Sequence, residues 1–288
     1  MNGRDFSRIY KIEITFLVDI VALAGFLSNP AFSTRILLLA PLIVSGTLAS
    51  MSAALFNNLY DMDIDANMNR TSYRGRIVND RTYKRMFFNG TAMIAVSVLI
   101  SFFTINLLTT IFIFLGFLSY TLLYTFLLKR RTTWNIVIGG IAGSFPALAG
   151  WAAVSNTVSL TSVFIALLVF AWTPTHFWAL ATNNMEDYRK AGVPMLPSVV
   201  GIERTSWVIL ANTVVLFVYS LLPLFFHQIN VGVVYYLLAI VLGIVMLYYS
   251  IVPVVRNFAL SDFKRAFHYS NYYLLILLVS ICLVNFIH

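Results

Sequence analysis

The sequence predicts an all-α integral membrane protein with nine transmembrane helices. Three observations carry that expectation. The 288 residues are 60% hydrophobic and only 10% charged, whereas an average soluble domain is nearer one-quarter charged. The apolar residues fall into runs near the ~20 residues that a helix needs to cross a bilayer. The charges fall between those runs, in alternate loops. Lipid is therefore the expected solvent, and one membrane-embedded domain, 1–288, accounts for the length.

The runs lie near 13–29, 35–56, 87–105, 107–128, 135–154, 160–181, 206–227, 232–253 and 267–287. Backbone polar groups cannot stay unpaired in hydrocarbon, so each run is expected to be a helix. The first carries Asp19 near its middle, and an ionisable group at that depth points to function or to a buried partner. The second ends in an acidic row. The fourth closes on Lys129-Arg130-Arg131. The fifth, with Gly139-Gly140, Gly143, Ser144, Ala147 and Gly150, has a face of small residues. Such a face lets helices approach closely or forms a wall for a flat ligand. The sixth contains His176 among aromatic residues.

With nine spans, the N-terminus and alternate loops share one side. Eighteen of the nineteen basic residues fall there, and only Arg35 lies opposite. By the positive-inside rule that side is cytoplasmic. The net charge of +8 thus reads as orientation in a membrane, and no nucleic-acid partner is expected. The short polar N-terminus resembles neither a cleavable signal nor an arginine-rich transit peptide, which favours a cell membrane. The lone Cys282 has no partner for a disulfide and reads as a small apolar residue.

The long connections 57–86 and 182–205 hold most of the polar chemistry. Each follows an even-numbered span and starts with an asparagine and, four residues on, an aspartate. This hints at a four-helix unit used twice. Asn57, Asp61 and Asp65 lie four residues apart, so on a helix they share a face. Such a row suits Mg²⁺, which accepts a few carboxylates and completes its shell with water and phosphate. Asp63 points elsewhere. The loop has neither the turn glycine nor the closing glutamate of a Ca²⁺-binding loop. Arg70 and the basic residues after it, together with Lys129 and Arg130, are candidates for the phosphates that the metal would hold. Asn183 and Asp187 repeat the spacing of four and form a weaker second row. Two rows facing one another would suit the ionisation of an allylic diphosphate, with metal stabilising the leaving group. A non-enzymatic transporter is the competing reading, but transporter sites lie near the midplane on broken helices, and here only Asp19 and His176 suit one.

Several runs carry a resemblance. Asn57-x₃-Asp61-x₃-Asp65 resembles the first aspartate-rich motif of the UbiA prenyltransferase superfamily. Asp61-x-Asp63-Ile64-Asp65-x₂-Met68-x-Arg70-Thr71 is similar to its haem-farnesylating branch. So are Leu128-Lys129-Arg130-Arg131-Thr132-x₂-Asn135, Trp172-Thr173-Pro174-x-His176-Phe177-Trp178 and Asp187-Tyr188-x₃-Ala191-Gly192-Val193-Pro194-Met195-Leu196-Pro197. The resemblance covers about residues 10–205. It implies a UbiA-type bundle of the nine helices around a central cavity, Mg²⁺ as cofactor, and transfer of a farnesyl group from farnesyl diphosphate to the vinyl group of haem b, with addition of water, to give haem O. Asn57, Asp61 and Asp65 would then bind Mg²⁺–diphosphate, with Asn183 and Asp187 opposite. Asp61, Asp65 and Asp187 would be the catalytic acids. Arg70, Lys129 and Arg130 would contact diphosphate, and His176 the haem. Another superfamily member, acting on a quinone precursor or a lipid headgroup, is the alternative. Docking to a haem A synthase or a terminal oxidase is left open. The chain departs from the branch at Lys11-Ile12, Arg74-Gly75-Arg76, Thr133 and Thr175, none of which removes a charge.

Overall fold

The computed structural model describes residues 3–69, 71–78 and 80–287, and among these there are helices but no strand. A short helix, α1 (Gly3–Ile9), leads into α2 (Ile12–Leu27). A 3₁₀ stretch at Phe32–Leu38 opens α3 (Leu39–Tyr60). The chain bends at Asp61 (φ −94°, ψ 13°) into α4 (Met62–Asn67). Then come α5 (Asp80–Thr104) and α6 (Leu107–Leu118). Next are α7 (Asn135–Gly139), α8 (Phe145–Ser155), α9 (Leu160–Asn183) and α10 (Met185–Lys190). The bundle closes with α11 (Leu196–Ser220), α12 (Gly232–Val255) and α13 (Leu260–Ile287).

Eight helical stretches among the described residues are long and apolar enough to cross a bilayer. The ninth expected span is α2, which has 16 residues and so a length of about 24 Å. Its place is secured by contact with α8. A Cβ on Gly25 would lie 2.0 Å from the Ala147 carbonyl oxygen, and one on Gly150 would lie 1.9 Å from that of Ala22. Glycine at both positions lets the two backbones touch, which is how helices in lipid gain dispersion contact without a hydrophobic driving force.

Some boundaries differ from the sequence expectation. The span expected at 135–154 is broken: α7 passes through a 3₁₀ turn at Gly140–Gly143 before α8 starts at Phe145-Pro146. Consecutive glycines favour the break, and a proline at a helix start has no hydrogen bond to lose. The span expected at 206–227 runs from Leu196 to Ser220 and contains Gly201 at φ +84°. The apolar residues that follow it form a 3₁₀ turn around Pro223. The last helix begins at Leu260, two turns before the expected 267, and carries Asp262, Lys264 and Arg265 into the helix.

A less expected element is the stretch Ser119–Leu128, which continues α6 as a π-helix. Its wider turn carries a backbone bond from Lys129 N–H to the Tyr124 carbonyl at 2.8 Å, five residues back. Such segments are rare and concentrate at functional sites. This one sets the direction in which Tyr120, Thr125 and Lys129 leave the helix.

Candidate active site

The acidic row survives the bend in the chain. Asp61 N–H donates to the Asn57 carbonyl at 2.9 Å, and Asp65 N–H to that of Asp61 at 2.7 Å. The helical bonds therefore run on through the α3–α4 junction, and Asn57, Asp61 and Asp65 keep a common face. All three are buried. Burying carboxylates requires partners, and cations from three other segments supply them. Lys129 Nζ, at the end of the π-helix, pairs with Asp61 Oδ2. Arg74, from the loop after α4, donates to both Asp65 oxygens at 2.9 and 3.2 Å. Lys11, which precedes α2 and has left-handed backbone (φ 49°), donates to Asn57 Oδ1 and, at 3.2 Å, to Tyr120 OH. Asn57 passes its own amide hydrogens to Asp61 Oδ2 at 2.8 Å and Thr125 Oγ1 at 3.1 Å.

Electrostatics reflect this crowding. Burial, reinforced by repulsion from Arg74 and Lys129, pulls the Lys11 ammonium down to about 7. At the rim, Arg130 grips Asp63 with both nitrogens at 2.7 and 2.8 Å and stacks on the Tyr60 ring at 4.4 Å. That hydrogen bond holds the Asp63 carboxyl below its usual range.

Asp61 Oδ1 is buried and has no hydrogen-bond partner among the described residues; Arg130 Nη2 stands 3.8 Å from it. No three carboxylate, histidine or cysteine side chains cluster as a metal cage among these residues. Two buried carboxylates, a side-chain amide and one unpartnered oxygen suit a Mg²⁺ ion that brings phosphate and water for the rest of its shell.

Below this cluster opens an apolar cavity of about 270 Å³, whose walls come from α2, α3, α6, the π-helix, α7 to α9 and the glycine turn between them. Lys11 and Tyr120 stand at its polar end. The small residues of the fifth span divide between two jobs. Ala147 and Gly150 pack on α2, while Gly139, Gly140 and Gly143 line the cavity. A Cβ on Gly139 would meet the Tyr124 ring at 2.6 Å.

The UbiA prenyltransferase family profile matches residues 18–272. The chain belongs to the UbiA prenyltransferase family. It is 55% identical over 277 residues, 96% of each chain, to protoheme IX farnesyltransferase 2 of Picrophilus torridus. It is 38% identical to protoheme IX farnesyltransferase of Metallosphaera sedula, covering 98% of this chain and 96% of that one. Two solved structures share the fold. A digeranylgeranylglyceryl phosphate synthase superposes with a TM-score of 0.78 at 17% identity, over 99% of both chains. A UbiA homologue from Archaeoglobus fulgidus, bound to DMAPP and Mg²⁺, superposes with a TM-score of 0.64 at 15% identity, over 96% of this chain and 99% of that one.

Within this UbiA fold, the residues singled out from sequence lie as follows. Asn57, Asp61, Asp65 and Lys129 meet in one cluster, with Arg130 at its rim. Arg70 lies outside the described residues. The second row sits where α9 breaks into α10: Asn183 Nδ2 bonds its own helix at the Ala179 carbonyl, 2.9 Å. Asp187 Oδ1 accepts from Asn69 Nδ2 at 3.1 Å, which ties the two acidic loops together. His176 is buried between Trp172 and Phe267, with ring centroids 4.2 and 4.6 Å away, and its Nδ1 meets Ser270 Oγ at 2.8 Å. It faces α13, while its neighbours Trp172 and Phe177 line the cavity. Sequence reasoning placed Arg74 only in the basic row that follows Arg70, as a phosphate candidate, and passed over Lys11, Tyr120 and Thr125 as site residues. Lys11 read there as a topology anchor, the pairing of Arg74 with Asp65 has no signal in the sequence, and nothing in the spacing of Tyr120 and Thr125 announces a π-turn.

Proposed function

We propose that this chain transfers the farnesyl group of farnesyl diphosphate to the vinyl group of haem b, forming haem O. The observation that carries the reading is the 55% identity, end to end, with the Picrophilus torridus protoheme IX farnesyltransferase. The buried acidic and basic cluster above an apolar cavity is its physical counterpart.

In this reading Asp61, Asp65 and Asn57 hold Mg²⁺, with Asn183 and Asp187 across the loop junction. The bound metal stabilises charge on the departing diphosphate. Lys129, Arg74 and Lys11, now spent on carboxylates and amide, turn toward phosphate oxygens, and Arg70 and Arg130 reach them from the rim. The apolar cavity takes the prenyl chain and keeps bulk water from the allylic carbon. The Trp172 and Phe177 rings on the cavity wall offer an aromatic face for the porphyrin, with His176 packed behind Trp172. The site faces the cytoplasm of a cell membrane, where a water-borne diphosphate arrives.

The test is extraction of haem from membranes that contain the protein, followed by chromatography and mass measurement, with Asp61→Ala as control. The expected result is a more hydrophobic haem, heavier by a hydroxyfarnesyl group and missing in the variant. Haem b alone, with farnesyl diphosphate present and the protein confirmed in the membrane, would rule out haem as acceptor.

A further inference from the structure

The diphosphate cluster does not account for Asp19. Its side chain lies near the middle of α2 and lines the apolar cavity. Thr47 Oγ1 donates to Asp19 Oδ2 at 2.7 Å. Oδ1 is buried with no hydrogen-bond partner among the described residues. Gly46 faces it: a Cβ there would stand 3.4 Å from Oδ1. A half-satisfied carboxylate at this depth is costly, and such groups in membrane proteins belong to transfer paths.

Asp19 is also the last rung of a ladder. Positions 15 and 19 share one face of α2, Lys11 stands just before the helix, and each of the three meets α3. Lys11 bonds Asn57, Thr15 Oγ1 stands 3.0 Å from Ser50 Oγ, and Thr47 bonds Asp19. Ser50 lies seven residues of α3 below Asn57, about 10 Å, and Thr47 about 5 Å further. Lys11, Ser50 and Asp19 all line the cavity. Apart from Tyr120, Tyr124 and Thr173, the rest of the wall is aliphatic, aromatic or glycine, so this seam gathers several polar partners for a water molecule in one place.

We propose that the α2–α3 seam holds the water consumed in the reaction and that Asp19 takes up its proton. The inference rests on the haem-farnesylation reading. The allylic C1–O bond breaks, and its electron pair leaves with diphosphate. The terminal vinyl carbon bonds to C1, which leaves positive charge on the vinyl carbon next to the ring. That carbon lies two bonds beyond C1, about 4 Å from the departed oxygen, and water held on the Thr15–Ser50 rung covers the distance that remains to it. The water oxygen bonds to it, and the released proton passes to Asp19 Oδ1 and later to bulk water. Thr47 keeps the other oxygen fixed, so Oδ1 is the one that receives the proton.

The experiment measures the ratio of hydrated to dehydrated prenyl-haem by mass in membranes carrying the wild type, Asp19→Asn, Thr47→Val or Ser50→Ala. Without a proton acceptor for water, the cation is quenched by losing its own proton, which gives a product lighter by one water. For Asp19→Asn the ratio is expected to fall about tenfold or more, the scale of a lost general base. A carboxylate that only supports the fold would lower stability or total turnover and leave the ratio unchanged; that result overturns the proposal. If Asp19→Asn does not accumulate in the membrane, Thr47→Val and Ser50→Ala decide. Both keep the carboxylate; a shift toward dehydrated product supports the proposal, and an unchanged ratio in both overturns it. A wild type that makes no prenylated haem sinks the farnesylation reading itself, so the two failures are told apart.

Discussion

Asp61 and Lys129 are bound to one another more tightly than a solvated pair would be, because both are buried. Removing one partner leaves the other charge in a poorly solvating site. Lys129→Met should therefore cost about 3–5 kcal/mol of stability, typical of a broken buried pair, and added diphosphate should no longer protect the protein. Thermal unfolding in detergent, with and without inorganic diphosphate and Mg²⁺, reads both effects. Asp61→Asn keeps the shape and the hydrogen-bonding capacity but loses the charge. Its prenyl transfer should fall by roughly a hundredfold or more, the scale of a lost electrostatic group at a reacting centre, while the protein still inserts. Near-normal turnover in Asp61→Asn would mean that the acidic row is scaffolding. Arg130 sits differently. Its contacts with Asp63 and Tyr60 are at the rim, where ion pairs contribute about 0–1 kcal/mol. Arg130→Ala should leave the unfolding temperature nearly unchanged and act mainly on the Michaelis constant for the diphosphate.

Among the elements, the α2–α8 contact and the π-helix separate packing from positioning. Gly25 and Gly150 put a backbone carbonyl of the other helix where a Cβ would go. Even Gly150→Ala must push the helices apart, an overpacking that costs about 1–3 kcal/mol or more. A matching fall in melting temperature, with substrate affinity preserved in the surviving fraction, would place this pair in the scaffold. The π-helix has the opposite signature. It contributes little core, but it aims Lys129 and Thr125 at the acidic row. Deleting one residue from Ser119–Leu128 would let the turn close as an α-helix and remove the wide turn that spaces Tyr120 and Thr125 from Lys129. Transfer should be abolished while helix content by circular dichroism stays the same. Activity that survives the deletion would show that Lys129 can be aimed without the wide turn.

The whole molecule puts its charge at one end. The acidic loops, the basic triplet after the π-helix and the rim arginines cluster there, and the turns at the other end are short. Orientation can be read by labelling, because Cys282 is the lone cysteine. In a Cys282→Ala background, cysteine at Glu186 should react with a membrane-impermeant maleimide only once the cytoplasmic face is opened. Cysteine at Thr157 should react from outside in intact cells. Reversed labelling would overturn the proposed orientation and the supply of diphosphate from the cytoplasm.

Sequence by itself determined the solvent, the helical class and the common face of the acidic row. Composition and run length are one-dimensional quantities, and a bilayer admits helices wherever an apolar run is long enough. The spacing of four carries Asn57, Asp61 and Asp65 onto one face without any tertiary information. The family membership was legible for the same reason, since its motifs are local. Tertiary structure decided the pairing of those residues. Which cation meets which carboxylate depends on the approach of segments 46 to 68 residues distant in sequence, such as Lys11 with Asn57 and Lys129 with Asp61. The break in the fifth span and the early start of the last helix follow from packing and capping that hydropathy does not record. Asp19 shows the division most clearly. A carboxylate in an apolar run announces itself in the sequence. Its cavity, its Thr47 partner and its unpartnered oxygen exist only once α2 lies against α3, because burial and hydrogen bonding are properties of two surfaces together.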